Sequence, residues 1–255
     1  MATYNKRGYK GKNVEEVQQL ENENSTTAEV FSSLDEGASK TEAWVAGNQS
    51  YILGVIGVIA IGVLGYLAYI QFVQKPQEAT AANELFYPQQ YFDQAVNATQ
   101  AKDSLFLLAL NGAEGKYGLL DIANEYAGTK AANLAHYSAG VSYLNLQKYP
   151  EAIDQLEQFS SQDAILGAMA KGNIGDAFMQ LDQLKEALSY YEKAIAHSSN
   201  EFTTPKFLQK AAIAAIALGD NNKAASFLAS IKSDFPNAIE AQSVDAQLGL
   251  VNADK

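Results

Sequence analysis

Three times in the C-terminal half, the sequence sets a small residue, a second position three residues on, and then an alanine-bearing apolar run. The first set is Gly140 and Tyr143, followed by Tyr149, Ala152, Leu156 and Phe159. The second is Gly175 and Phe178, followed by Leu184, Ala187, Tyr191 and Ala194. The third is Ala212 and Ala215, followed by Ala224, Leu228, Ile231 and Pro236. Ala152, Ala187 and Ala224 stand 35 and 37 residues apart. Self-similarity at such a period marks a stacked array, because one unit cannot bury its apolar face alone. The spacing within each set is helical, so each unit is a pair of helices, A then B. A small residue at 140, 175 and 212 lets helix A sit tightly on helix B, and alanines 152, 187 and 224 do the same from helix B. The large residues between them fill the layer.

This order of small and large positions reads as the tetratricopeptide repeat (TPR), whose period is about 34 residues. The extra residues fit in loops, most clearly around Ser198–Thr204. Thr204 before Pro205 predicts a helix start, since proline suits the first helical turn. Gly219-Asp220 supplies a turn, and Pro236 follows the end of the third pair. Residues 131–255 are therefore read as three TPR-like repeats plus a C-terminal helix. Residues 76–130 are read as a degenerate helical cap. There, Phe86, Tyr91, Phe92, Ala95 and Val96 predict one long amphipathic helix, and Leu119, Leu120, Ile122, Ala123 and Tyr126 a helix B.

Tyr51 to Ile70 runs about 20 residues without a charge, enough for a helix to cross a bilayer. The fold class is thus all-α: one transmembrane helix followed by a TPR-type α-solenoid. Residues 40–75 form the juxtamembrane and transmembrane segment, with the span at about 51–73. Trp44 and Tyr51 at one end, and Tyr66, Tyr69 and Phe72 at the other, fit interfacial aromatic belts. Lys6, Arg7, Lys10, Lys12 and Lys40 precede the span and only Lys75 follows closely, so the N-terminus is expected in the cytoplasm. Gly54, Gly57, Gly65 and Ala68 share one face, where another membrane helix could approach. Pro76 predicts a break or kink just beyond the span. Residues 1–39 are read as a tail, disordered over 1–24. In it, Thr26-Thr27-Ala28-Glu29 reads as a capping box opening a short helix through Val30, Phe31 and Leu34. Ser39-Lys40-Thr41-Glu42 reads as a second box, starting the helix that enters the span.

In a TPR, the inward side of each helix A lines a concave groove. Projection gives Tyr137, Val141, Leu144 and Asn145 from the first repeat, Met169, Asp176, Met179 and Gln180 from the second, and Lys206, Gln209, Ile213 and Ile216 from the third. The lining is largely apolar, and its methionines adapt to different partners. A hydrophobic peptide or helix is the expected occupant; packing against a neighbouring repeat or the C-terminal helix is the competing use of these side chains. Residues 74–255 carry 13 lysines and 21 acidic residues, a net of −8, which keeps this part off anionic headgroups. The net charge of −11 argues against nucleic acid. The absence of cysteine removes disulfides, zinc-thiolate sites and thiol catalysis.

No catalytic, cofactor or metal site is legible. Gly112-Ala113-Glu114-Gly115-Lys116-Tyr117 lacks phosphate-loop spacing and reads as an interhelix loop. His136 reads as a packed or half-exposed helix residue, and His197 as a partner of its own helix's C-terminal dipole.

Over roughly residues 40–255, the span, the post-membrane helix near Ala81–Ala98 and the TPR positions above resemble the YfgM-like family of bacterial inner-membrane proteins. The acidic, Asn-, Ala- and Tyr-rich composition looks like a Bacteroidetes-type member. The resemblance implies a short cytoplasmic tail and a periplasmic TPR domain. It also implies an ancillary role at the Sec translocon beside a membrane-anchored periplasmic chaperone of the PpiD type, helping exported proteins fold. The alternative is a TPR scaffold for another envelope complex, in cell division, secretion or outer-membrane assembly.

Overall fold

A computed structural model describes residues 29, 30, 33, 34 and 37–253, and every regular element among them is helical. The chain divides between Tyr69 and Ile70 into two compact units.

In the first unit, residues 37–47 are helical and Asn48 forms a turn, its Nδ2 donating to the Trp44 carbonyl at 2.8 Å. Ser39 does not cap this helix. It lies inside a helix already running at residue 37, where Thr41 Oγ1 donates to the Gly37 carbonyl at 2.8 Å, a bond of helix interiors. Val30 and Leu34 are helical and exposed. Residues 1–24, Thr26–Ala28 and Phe31 lie outside the described residues. Helix α1 (Gln49–Tyr69) is apolar all round and buries none of its 21 residues. At 1.5 Å per residue it rises about 30 Å. It is the one helix among the described residues long and apolar enough to cross a membrane.

The second unit opens with a π-helical turn, Ile70–Gln74, followed by α2 (Lys75–Glu84) with Pro76 in its first turn. Proline has no N–H to donate to the Phe72 carbonyl, and its ring crowds that oxygen. The break expected at Pro76 takes the form of this widened turn. Phe86, Tyr91, Phe92, Ala95 and Val96 lie on one helix, α3 (Phe86–Asn97), as expected, and an interruption at Leu85 separates it from α2. The cause is Pro88, which cannot donate to the Glu84 carbonyl. Helix α4 (Lys102–Asn111) packs on α3, where buried Phe106 meets Phe92 at 6.1 Å between ring centres. The loop through Gly112 and Gly118 leads to α5 (Leu119–Glu125). Glu78 of α2 reaches the next helix, α6 (Lys130–Asn145), and its carboxylate accepts from the N–H of Lys130 at 2.8 Å and of Ala131 at 3.3 Å. Thr129 Oγ1 accepts from the Ala132 N–H at 3.0 Å and the Thr129 N–H donates to the Tyr126 carbonyl at 3.1 Å, so all four free amides of this helix start are satisfied.

The pairs then follow the sequence register. Helix α6 pairs with α7 (Tyr149–Gln158), α8 (Leu166–Gln180) with α9 (Leu184–His197), and α10 (Thr204–Ala217) with α11 (Asn221–Asp234). A 3₁₀ turn (Ile239–Ser243) and α12 (Val244–Ala253) close the stack on α11. A Cβ placed on Gly140 would lie 3.2 Å from the Ala152 carbonyl and press into Leu156. One on Gly175 would lie 3.2 Å from the Ala187 carbonyl and 2.6 Å from Tyr191. These are the helix A on helix B approaches that the small residues permit. The three A-to-B turns are also equivalent. Lys148, Gln183 and Asp220 each donate, at 2.9 Å, to the carbonyl five residues back, at Tyr143, Phe178 and Ala215. Each turn passes through a left-handed residue, Gln147 (φ 59°), Asp182 (φ 58°) and Gly219 (φ 77°).

The interior falls into three buried clusters. One joins α2, α4 and α5 to α6 around Leu110, Leu119 and Ile122. Another runs from α8 to α12 around Tyr191, Phe207, Leu228 and Ile231. The third, between the first and second repeats, holds only Leu156, Ala170 and Ile174 as buried members.

Candidate protein-binding surface

The twelve residues projected onto the inner face of the A helices divide by environment. Tyr137 and Leu144 are half-buried and pack against the Leu156–Ala170–Ile174 cluster. The Tyr137 ring tilts on Phe159 at 5.1 Å, and burial pushes its hydroxyl pKa up. Met169 and Met179 are likewise half-buried, packed against the cluster that runs to α12. Val141 is half-buried, and Asn145 is exposed with its Nδ2 donating to the Val141 carbonyl at 2.9 Å.

Asp176 and Gln209 are engaged inside the molecule. Asp176 accepts from the Tyr191 hydroxyl at 2.8 Å and from the Lys210 ammonium at 2.6 Å. That ties α8, α9 and α10 together at one carboxylate. Burial, then the Asp176 charge, pushes the Tyr191 hydroxyl pKa up, so the phenol stays a donor. Gln209 Nε2 donates to Ser243 Oγ at 2.9 Å, tying α10 to the C-terminal 3₁₀ turn. Lys206 is half-buried, and the open remainder is Gln180, Ile213 and Ile216, with the two isoleucines 45% and 41% exposed. Large aliphatic side chains left this open on a helix within a packed stack are candidate anchors for a partner.

On α1, no atom lies within 4 Å of a Cβ built on Gly54, Gly57 or Gly65, and Ala68 is exposed. The small-residue face is open.

Two concavities were not read from the sequence. One, of about 650 Å³, runs along α2 and α3 past Leu85, Phe86, Gln89, Gln90, Gln94 and Asn97. These recur every three or four residues, the one signal that could have exposed a shared face. The other, of about 550 Å³, lies between the first and second repeats, over the smallest buried cluster. His197 belongs to it. Its ring does not turn back to the carbonyls of its own helix but reaches the Asp163 carbonyl at 3.0 Å and Lys171 Nζ at 3.1 Å. His136 is half-buried, its Nδ1 2.9 Å from Gln155 Oε1. Among the described residues, no group of three or more His, Asp or Glu side chains is placed to hold a metal ion.

Comparison with known proteins adds to this geometry. A family described as T7SS, ESX-1 secretion system protein EccA1, N-terminal domain, matches residues 85–253. Among solved structures, the chain is similar to a Podosopora anserina kinesin light chain of nearly identical TPR-like repeats. Identity is 15% and the TM-score 0.47, over 71% of this chain and 87% of that one. No curated protein matches the chain.

Proposed function

We propose that this chain, which belongs to the family of the ESX-1 secretion system protein EccA1 N-terminal domain, is a membrane-anchored TPR scaffold that binds other proteins at an export machine of the bacterial envelope. The observation that carries the reading is the combination of two features: an apolar helix with no buried residue, and a stack of helix pairs with open isoleucines on its third A helix. The first calls for a bilayer, and the second for a protein partner.

In this reading the anchor lies in the inner membrane with the N-terminus in the cytoplasm. Residues 76–130 cap the array, and residues 131–255 present the binding groove on the periplasmic side. The partner is the Sec translocon with a PpiD-type chaperone, and the clients are exported polypeptides, as the YfgM-like resemblance implies. The work done is binding, not catalysis. The family match favours one further reading within the same class, a scaffold for a dedicated secretion apparatus, because the matched family takes its name from a secretion system.

Crosslinking in native membranes, followed by capture of the tagged chain and mass spectrometry, separates the two. Recovery of the Sec channel with a periplasmic chaperone supports the first. Recovery of another secretion complex without Sec components discards it and keeps the anchored scaffold.

A further inference from the structure

The cavity between the first and second repeats is bounded by α7, by the loop over residues 159–165, and by α8 and α9. It is open because α8 offers small residues there. Gly167 has no side chain, and a Cβ on it would run into the His197 ring. Leu156, Ala170 and Ile174, only 1–4% exposed, close the base of the cavity, and the half-buried rings of Phe159 and Tyr190 form its apolar wall. Lys171, Lys193 and His197 line it from α8 and α9.

Hydrogen bonds assign the imidazole. Nε2 carries the proton and donates to the Asp163 carbonyl at 3.0 Å, leaving Nδ1 to accept from the Lys171 ammonium at 3.1 Å. The Lys171 ammonium has one further acceptor, the Gly167 carbonyl at 3.4 Å, and forms no ion pair among the described residues. Lys193 also forms none, and its ammonium stands 3.9 Å from the centre of the Tyr190 ring. Lys210, Lys223 and Lys232 nearby in sequence are instead paired with Asp176, Glu192 and Asp245 at 2.5–2.9 Å. Among the described residues neither ammonium has a carboxylate within ion-pair distance, though Glu157 lines the same cavity. Glu157 accepts from the Tyr190 hydroxyl at 2.6 Å, and Asp163 accepts from the N–H groups of Ile165 and Leu166 at 2.9 and 2.8 Å. Burial lowers the Lys171 pKa, the mark of a cation short of compensation.

Two ammonium groups without carboxylate partners, beside an apolar wall in a cavity of ligand size, describe a complementary ligand. We propose that this cleft binds a small organic carboxylate, its head meeting the ammonium groups of Lys171 and Lys193 and its apolar body lying against Phe159 and Tyr190. A free acid and the C-terminal carboxylate of a polypeptide share this chemistry.

The test uses the full chain in lipid nanodiscs and isothermal titration with two matched probe pairs. One pair is 4-phenylbutyrate and 4-phenylbutyramide. The other is acetyl-Ala-Leu-Phe with a free carboxylate and the same peptide amidated. The uncharged member of each pair reports partition into lipid. The acid of at least one pair is expected to bind about tenfold or more tightly than its amide. Lys171→Met and Lys193→Gln should each remove most of that preference, and Lys232→Met, outside the cleft, should leave it intact. Preference confined to the phenylbutyrate pair assigns the site to free acids; preference confined to the peptide pair assigns it to polypeptide C-termini. Equal binding of acid and amide in both pairs overturns the proposal. So does a preference that survives Lys171→Met and Lys193→Gln in chains that melt as the parent does.

Discussion

A Cβ on Gly172 would fall onto the ring of Phe207, which is fully buried and stacked on Tyr191 at 6.4 Å between ring centres. Phe207 has no free volume to swing into, so Gly172→Ala forces the second and third repeats apart. Overpacking of this kind costs about 1–3 kcal/mol. In a unit of this size that lowers Tm by about 2–4 °C per kcal/mol, readable by calorimetry. Tyr190 gives a pH signature. Burial, then its hydrogen bond to Glu157, pushes its hydroxyl pKa up to about 12 from the ordinary value of 10.0. The folded chain therefore holds this proton through a range in which the unfolded chain has released it. The contribution is fully present below pH 10 and is lost as the pH rises through about 12. Tyr190→Phe should accordingly lose less stability than the parent between those limits, measured as melting temperature against pH. The positions of the small residues were legible in the sequence, because only Gly or Ala permits such approaches. The fate of Asp176 was not. It reads as a groove residue on its own helix, and its carboxylate is claimed by Tyr191 and Lys210, which arrive from two other helices.

Among the elements, the first repeat helix depends on a side chain 52 residues upstream. Glu78 covers the amides of Lys130 and Ala131, placing a negative charge where the helix dipole favours one. Glu78→Ala should cost about 1 kcal/mol. It should also speed amide hydrogen exchange at Lys130 and Ala131, with the second and third repeats unaffected. Such a link lies beyond periodicity, which reports each helix's own faces and not which remote carboxylate reaches its start. The A-to-B turns show the same limit. Gly219 announces its turn, whereas Gln147 and Asp182 adopt the same left-handed geometry without glycine. The kink at Leu85 was available from Pro88, since proline withholds the bond that a continuous helix needs there.

For the molecule as a whole, the exposed part of the projected face is narrower than the projection itself. The projection treats each A helix alone, and in the stack eight of its twelve residues are half-buried. Met169 and Met179 contribute to packing, while Ile213 and Ile216 remain open. Ile213→Asp should reduce capture of the crosslinked partner several-fold and leave Tm within about 1 °C, as an exposed substitution changes stability by only about 0.5 kcal/mol. Ala187→Arg, at a fully buried contact, should abolish cooperative melting of the stack. The pair of variants separates a binding face from a structural one.

A stacked array transmits load through its joints in series, so its strength is that of its weakest joint. Between the first and second repeats, the buried layer is three side chains beside a cavity of about 550 Å³. A pull applied across the stack would load every joint equally, and this one would yield first. The stack should part there as two blocks, each keeping its own buried cluster intact. A ligand wedged in the cleft would act as a shear pin, raising the force at which the blocks separate.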